Sequence, residues 1–364
     1  MDGLRFVAAM LVVLYHYTAW HHEFWNGTQA KEAWPDLSRV TMFGNMGVQL
    51  FFIISGFVIL LSSYGKDIPA FVGSRIGRLF PAYWVAVIVS GILVLFIWPA
   101  MGEGRTIVDW MVNLTMLQQG FGIPHMDGVY WTLWAELRFY VWIAALMLLR
   151  CMTPLRLLAF TMLWPLAVIA TSGIHANWRE QMLVPEYAPL FAGGMVLFLI
   201  YRFGHTPARW LVLGFNVVFA AYQTGAGASR DAAELVGYAV PAWVYWMIVV
   251  ALFAAIALIS LTRLGHVSLP GLALAGALTY PVYLLHEVWG WWLIKQLSPI
   301  LDPYAVLLIV LGVVLTAAYL VYRFVELRWG RKLSKATAAG LRRITVSLTG
   351  FLGGTSERLH RERS

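Results

Sequence analysis

The sequence predicts an all-α polytopic membrane protein of about ten transmembrane helices, with both ends in the cytosol. Three observations predict it. Of 364 residues 60% are hydrophobic and only 12% charged, where a soluble domain carries roughly 25% charged residues. The apolar residues come in runs of about 18–22, long enough to cross a hydrocarbon layer of ~30 Å as helices. Basic residues gather in alternate connections, as topology by the positive-inside rule requires. A secreted enzyme, a disulfide scaffold and a nucleic-acid-binding domain are thereby excluded. Cys151 is the one cysteine, so no intrachain disulfide forms, and no Cys/His cluster marks a metal site.

The elements follow in chain order. The first span, residues 4–20, has neither a basic leader nor a small-residue cleavage site, so it reads as a retained helix. The second is 43–63. The third, 81–99, is preceded by a basic and apolar stretch, 66–80, suited to the inner interface before Pro81 turns the chain inward. Spans four to eight are 131–149, 155–172, 189–203 (short), 208–225 and 242–261. The ninth, 269–293, has Pro281 in its middle, where a kink is expected. The tenth is 304–325. With a cytosolic N-terminus, inner loops and tail hold seventeen Lys and Arg and outer loops six. Residues 1–330 thus form a membrane domain. Residues 331–364 form a basic cytosolic tail, in which 331–352 suits an interfacial amphipathic helix. A disordered tail fits that stretch equally.

Ionisable groups inside spans are costly and point to function. Arg5 and His16 are eleven residues apart, 20° beyond three full turns, so they share a face about 16 Å apart along the axis. Arg5 falls at the inner mouth and His16 in the outer half. Glu136 enters from the other side, about 7 Å below the outer interface, and His286 lies late in the ninth span. A carboxylate beside an imidazole suits a general base. An interhelical hydrogen bond uses the same residues, and spacing leaves both readings open. Arg75 and Arg78, three apart at the inner interface, suit phosphate and equally suit topology. Ser55 in GVQLFFIISGF leaves room for a ligand or for a close helix. Arg138 pairs with Glu136 or with backbone carbonyls. Tyr130 and Trp131, with Trp20, Trp25 and Trp34, belong to an outer aromatic belt or guide an acceptor.

Five blocks in order, MDGLRFVAAMLVVLYH, GVQLFFIISGF, RIGRLFPAYW, WTLWAELRFY and YPVYLLH, resemble the membrane acyltransferase-3 family over roughly residues 2–290. The resemblance implies transfer of an acyl group, usually acetyl, from cytosolic acyl-coenzyme A to a hydroxyl of a cell-surface carbohydrate or glycolipid. Lipopolysaccharide, exopolysaccharide and peptidoglycan are among the acceptors it implies. It implies His16 as the catalytic residue, Glu136 as its partner, and Arg5, Arg75 and Arg78 at the donor. Acyl-coenzyme A is then a co-substrate, with no permanently bound cofactor and no metal. Membrane lipids and the acceptor are the implied partners, and a bacterial inner membrane the implied location. The C-terminal esterase-like domain of some members has no counterpart, so a single-module transferase is implied. Succinyl or a longer acyl group fits the same plan. The competing class is a proton-coupled transporter or flippase, against which no two-fold hydropathy repeat is found.

Overall fold

The computed structural model describes the backbone of residues 1–174, 176–266 and 270–361, and side chains through Ile344 in the last helix. Residue 269, where the ninth span was expected to begin, and the side chains of tail residues 345–364 lie outside the described residues. Among the described residues there are no strands beyond an isolated bridge, Trp25–Thr28. The long helices are α1 (Asp2–Thr18), α2 (Gly47–Ser63), α3 (Ile68–Ile92), α4 (Trp131–Leu148), α5 (Pro154–Ala170) and α6 (Ala188–Phe203). They continue as α7 (Pro207–Asp231), α8 (Ala242–Leu261), α9 (Leu272–Leu285), α10 (Glu287–Leu297), α11 (Pro303–Val321) and α12 (Leu327–Arg361). Six helical segments, 38–63, 68–97, 177–203, 207–236, 242–261 and 303–344, are long and apolar enough to cross a membrane. Pro154–Ala170 and Leu272–Leu285 are shorter apolar helices. Several apolar helices of this kind make a multi-pass membrane protein. The helices α1 and α4, outside that set, carry Asp2, Arg5 and His16, and Glu136 and Arg138.

Three elements differ from expectation. First, residues 66–80 do not end at Pro81: α3 runs through it from Ile68. The proline leaves the Gly77 carbonyl, four residues back, without its helical donor, and that oxygen lies against Gly330 of α12. Asp67 caps α3, its carboxylate accepting from the Ala70 amide at 2.9 Å and pairing with Arg342 at 2.8 Å. Both contacts hold Asp67 below the ordinary carboxylate value. Second, the ninth span is not one helix: α9 runs through Pro281 and breaks five residues later at His286. Third, residues 331–344 continue the helix from α11 and pack along α3. Gly73 and Gly77 let the two backbones meet at Ser334 and Gly330.

The centre of the bundle is α6, in which all thirteen residues from Ala188 to Ile200 are buried. It crosses α2 at Gly56 and Gly194, where each glycine faces the other helix's carbonyls at Ile53 and Phe191. Small residues at such a crossing let dispersion and backbone contacts replace the hydrophobic drive that lipid does not supply. A Cβ at Gly194 would overlap the Ile53 carbonyl. Gly194→Leu is therefore expected to destabilise the protein by about 3 kcal/mol or more, read as loss of monodisperse protein on heating in detergent. Melting like wild type would contradict this packing.

Candidate active site

At the C-terminal end of α1, the His16 and Tyr17 carbonyls lack helical donors and are taken up by side chains. Trp291 Nε1 donates to the His16 carbonyl at 2.9 Å and His22 Nε2 contacts it at 3.0 Å. Trp25 Nε1 donates to Tyr17 O at 2.8 Å. The Tyr17 hydroxyl donates to the His286 carbonyl at 2.7 Å. The chain break after α9 is thus fastened to the end of α1. This brings His286 and Glu287, the last residue of one helical turn and the first of the next, against His16.

The hydrogen bonds fix which nitrogen of each ring carries the proton. His286 Nδ1 lies 2.8 Å from the Tyr283 carbonyl, which only accepts, so this nitrogen donates and Nε2 is left as an acceptor. His16 Nδ1 lies 2.9 Å from the Val12 carbonyl and 3.1 Å from His286 Nε2. Both are acceptors, so His16 Nδ1 carries the proton and His16 Nε2 presents a lone pair. Glu287 Oε1 stands 3.8 Å from that Nε2. His16 is 9% exposed, His286 fully buried and Glu287 5% exposed.

Glu287 is itself held from behind. Its Oε2 accepts from the Val129 amide at 2.9 Å, which it shares with buried Asp127. Asp127 Oδ1 also accepts from Val129 N at 3.2 Å. Neither Asp127 nor Glu287 was expected from the sequence. The adjacent pair His286–Glu287 is the one signal that was present, since a carboxylate beside a buried histidine at a helix break is a costly arrangement.

A narrow slot of about 70 Å³ runs between α1, α2, α3, α4 and α9, lined by Arg5, Ser55, Arg78, Glu136, Tyr280 and Tyr283 among others. Here Ser55 Oγ donates to Glu136 Oε1 at 3.1 Å. The structure therefore pairs Glu136 with Ser55, and pairs His16 with His286 and Glu287. Tyr283 closes the deep end: its hydroxyl meets Thr132 Oγ1 at 2.9 Å, and its ring centroid is 5.6 Å from that of His286.

The two arginines of the Arg-x-x-Arg pair part company. Arg78 is exposed to the slot. Arg75 instead reaches Ser62 Oγ at 3.3 Å and lies over the Phe71 and Tyr140 rings. Neither Arg75 nor Tyr140 lines the slot. Arg138 does not meet Glu136; it binds the Trp134 and Glu180 carbonyls on the far side of α4. Tyr130 is buried with its hydroxyl near Ser90. Trp131 packs against Phe52 and Tyr187 beside Arg138. Trp25 and Trp34 are buried edge to face, which leaves neither as an open stacking face. Among the described residues no group of three or more His, Cys, Asp or Glu is disposed to hold a metal.

Comparison with known proteins bears on this arrangement. Residues 1–323 match a family profile described as an acyltransferase domain. Acyltransferase MdmB of Streptomyces mycarofaciens is 25% identical over 245 residues, which are 61% of this chain and 62% of that protein. The match thus spans less than two thirds of the relative's length. No solved structure matches the chain.

Proposed function

The chain belongs to the acyltransferase-3 family and is an acyltransferase, and from that premise we propose that it is a membrane O-acyltransferase for carbohydrate. In this reading it takes an acyl group, most simply acetyl, from cytosolic acyl-coenzyme A. The acceptor is a hydroxyl of a cell-surface or exported carbohydrate or glycolipid, in a bacterial inner membrane. Ten spans with both ends cytosolic put Arg5 and Arg78 at the donor's side and His16 toward the acceptor's.

The observation that carries the reading is the free lone pair of His16 Nε2, about 16 Å along α1 from Arg5. A coenzyme A cannot cross lipid, but its pantetheine arm, on the order of 15–20 Å, spans that rise. The slot, about 70 Å³, is too small for a nucleotide and has to widen to take the arm. Tyr283 is the side chain that an acyl group must displace to meet His16. As the acceptor oxygen attacks the thioester carbonyl, His16 Nε2 takes its proton. The tetrahedral adduct then collapses, the C–S bond breaks, and the imidazolium returns the proton to the departing thiolate. The products are the ester and free coenzyme A. The same lone pair attacks the carbonyl directly if an acyl-histidine forms first. The Glu287 carboxylate offsets the imidazolium charge in either sequence. Glu136, with Ser55, lines the donor's path in this scheme.

Arg78→Ala is expected to raise the apparent KM for acetyl-coenzyme A by about tenfold with kcat nearly kept, since a charge-assisted phosphate contact is worth about that factor. Arg75→Ala is expected to change KM much less, because Arg75 meets Ser62 and the Phe71 and Tyr140 rings and does not line the slot. An unchanged KM in Arg78→Ala would remove that arginine from the donor site. A carrier uses intramembrane Arg, His and Glu too, but family membership and the absence of paired broken helices among the described residues favour the transferase.

A further inference from the structure

A second and larger cavity, of about 420 Å³, opens beside the slot between α3, α9 and the C-terminal helix α12. Arg78 and Tyr280 belong to the walls of both, so the two spaces share one partition. From α12 the wall receives Gly330, Arg331, Ser334 and Lys335, a face repeating at one turn and four residues. Three cations thus face this space, against one carboxylate, Glu326. Its volume is in the range of sites that hold a drug-sized or nucleotide-sized ligand.

Resting on the acyl-coenzyme A reading above, we propose that this vestibule is the seat of the donor's nucleotide phosphates, with Arg331 and Lys335 of α12 acting beside Arg78. The argument is one of size and charge. The slot is too narrow for a nucleotide, while the vestibule admits one and meets the slot at Arg78. A phosphomonoester and a diphosphate are the parts of the donor that most need cations, and Arg and Lys supply them as fork and point charge. The position of α12 is set independently of any ligand. Gly73 and Gly77 of α3 meet Ser334 and Gly330 backbone to backbone, and Arg342 is tied to Asp67. Arg331 and Lys335 are themselves exposed, so their charges are free of the contacts that seat the helix. The tail then serves as one wall of the donor site rather than as a topological signal alone.

Anionic lipid headgroups carry the same phosphate chemistry, and the test separates the two sources. The full-length protein is assayed in nanodiscs of zwitterionic lipid, as wild type and as Arg331→Ala with Lys335→Ala. The two donors are acetyl-coenzyme A and acetyl-pantetheine, which lacks the nucleotide. The expected result is a KM for acetyl-coenzyme A raised ten- to a hundredfold, about tenfold per lost cation, with the KM for acetyl-pantetheine unchanged. The charge-keeping pair Arg331→Lys with Lys335→Arg should stay close to wild type. An unchanged KM for acetyl-coenzyme A, or an equal shift for both donors, would overturn the proposal. So would an effect seen only in anionic nanodiscs, which would give the cations to headgroups. Wild type that uses neither thioester would overturn the donor reading itself, a result distinct from loss of this subsite.

Discussion

His16→Ala is expected to lower acyl transfer by at least about a thousandfold, the scale of removing a positioned general base or nucleophile, while leaving the protein folded and in the membrane. The large effect follows from the hydrogen bonds around the ring. His16 Nδ1 is committed to Val12 O and His286 Nε2, so the whole chemical capacity of the residue lies at Nε2. No neighbour replaces it. Of the other buried imidazoles, His22 is spent on the His16 carbonyl and the Phe24 amide, and His286 donates from Nδ1 to Tyr283 and gives its Nε2 to His16. Stability should fall only modestly, because the carbonyl contacts at His16 and His286 that fasten α1 to the α9–α10 break remain, and the ring itself contributes the single bond to His286 Nε2. The check is transfer rate beside thermal stability in detergent. Near-normal transfer by a well-folded variant would remove His16 from the chemistry.

Glu287→Gln is the second large effect. The amide is isosteric, and its oxygen still accepts from Val129 N. Folding is therefore expected to survive. What is lost is the carboxyl group's capacity to carry negative charge 3.8 Å from His16 Nε2, which matters only once that nitrogen has taken a proton or an acyl group. The expected result is a kcat lowered on the order of a hundredfold with KM for the donor nearly unchanged. A selective rise in KM would instead place Glu287 in donor binding. Glu287→Ala is expected to be worse on both counts, since it leaves the buried Val129 amide with only the longer contact to Asp127 Oδ1 at 3.2 Å.

The sequence made α1 legible as a functional helix because the Arg5–His16 spacing is a property of one rigid element. Rise and rotation per residue fix it without any knowledge of neighbours. His286 was legible as a buried titratable group for a similar reason. The partner of His16 was not. Depth arithmetic put Glu136 level with His16, but depth says nothing about which face of α4 turns where, and Glu136 turns to Ser55. Glu287 was hidden because an unbroken ninth span placed it among residues near the outer interface. The break at His286, fastened by Tyr17, is a tertiary event. Asp127 lies in a connection that folds back on the bundle. Buried Asn113 holds that fold by donating to Pro124 O and accepting from Met126 N, and no periodicity announces such a connection. The parting of Arg75 from Arg78 has the same origin: three residues is 300° of helix, which leaves 60° between them. That suffices for one to meet Tyr140 and the other the slot.

The central claim is that acyl groups leave coenzyme A through His16. The most direct measurement supplies acetyl-labelled coenzyme A to the purified protein in nanodiscs, with and without membrane-derived polysaccharide, and compares wild type with His16→Ala. The account predicts that label leaves coenzyme A for protein or polysaccharide only with wild type, while both proteins bind the donor equally through the arginine side. Label transferred by His16→Ala at the wild-type rate, or a wild type that binds no acetyl-coenzyme A, would contradict it.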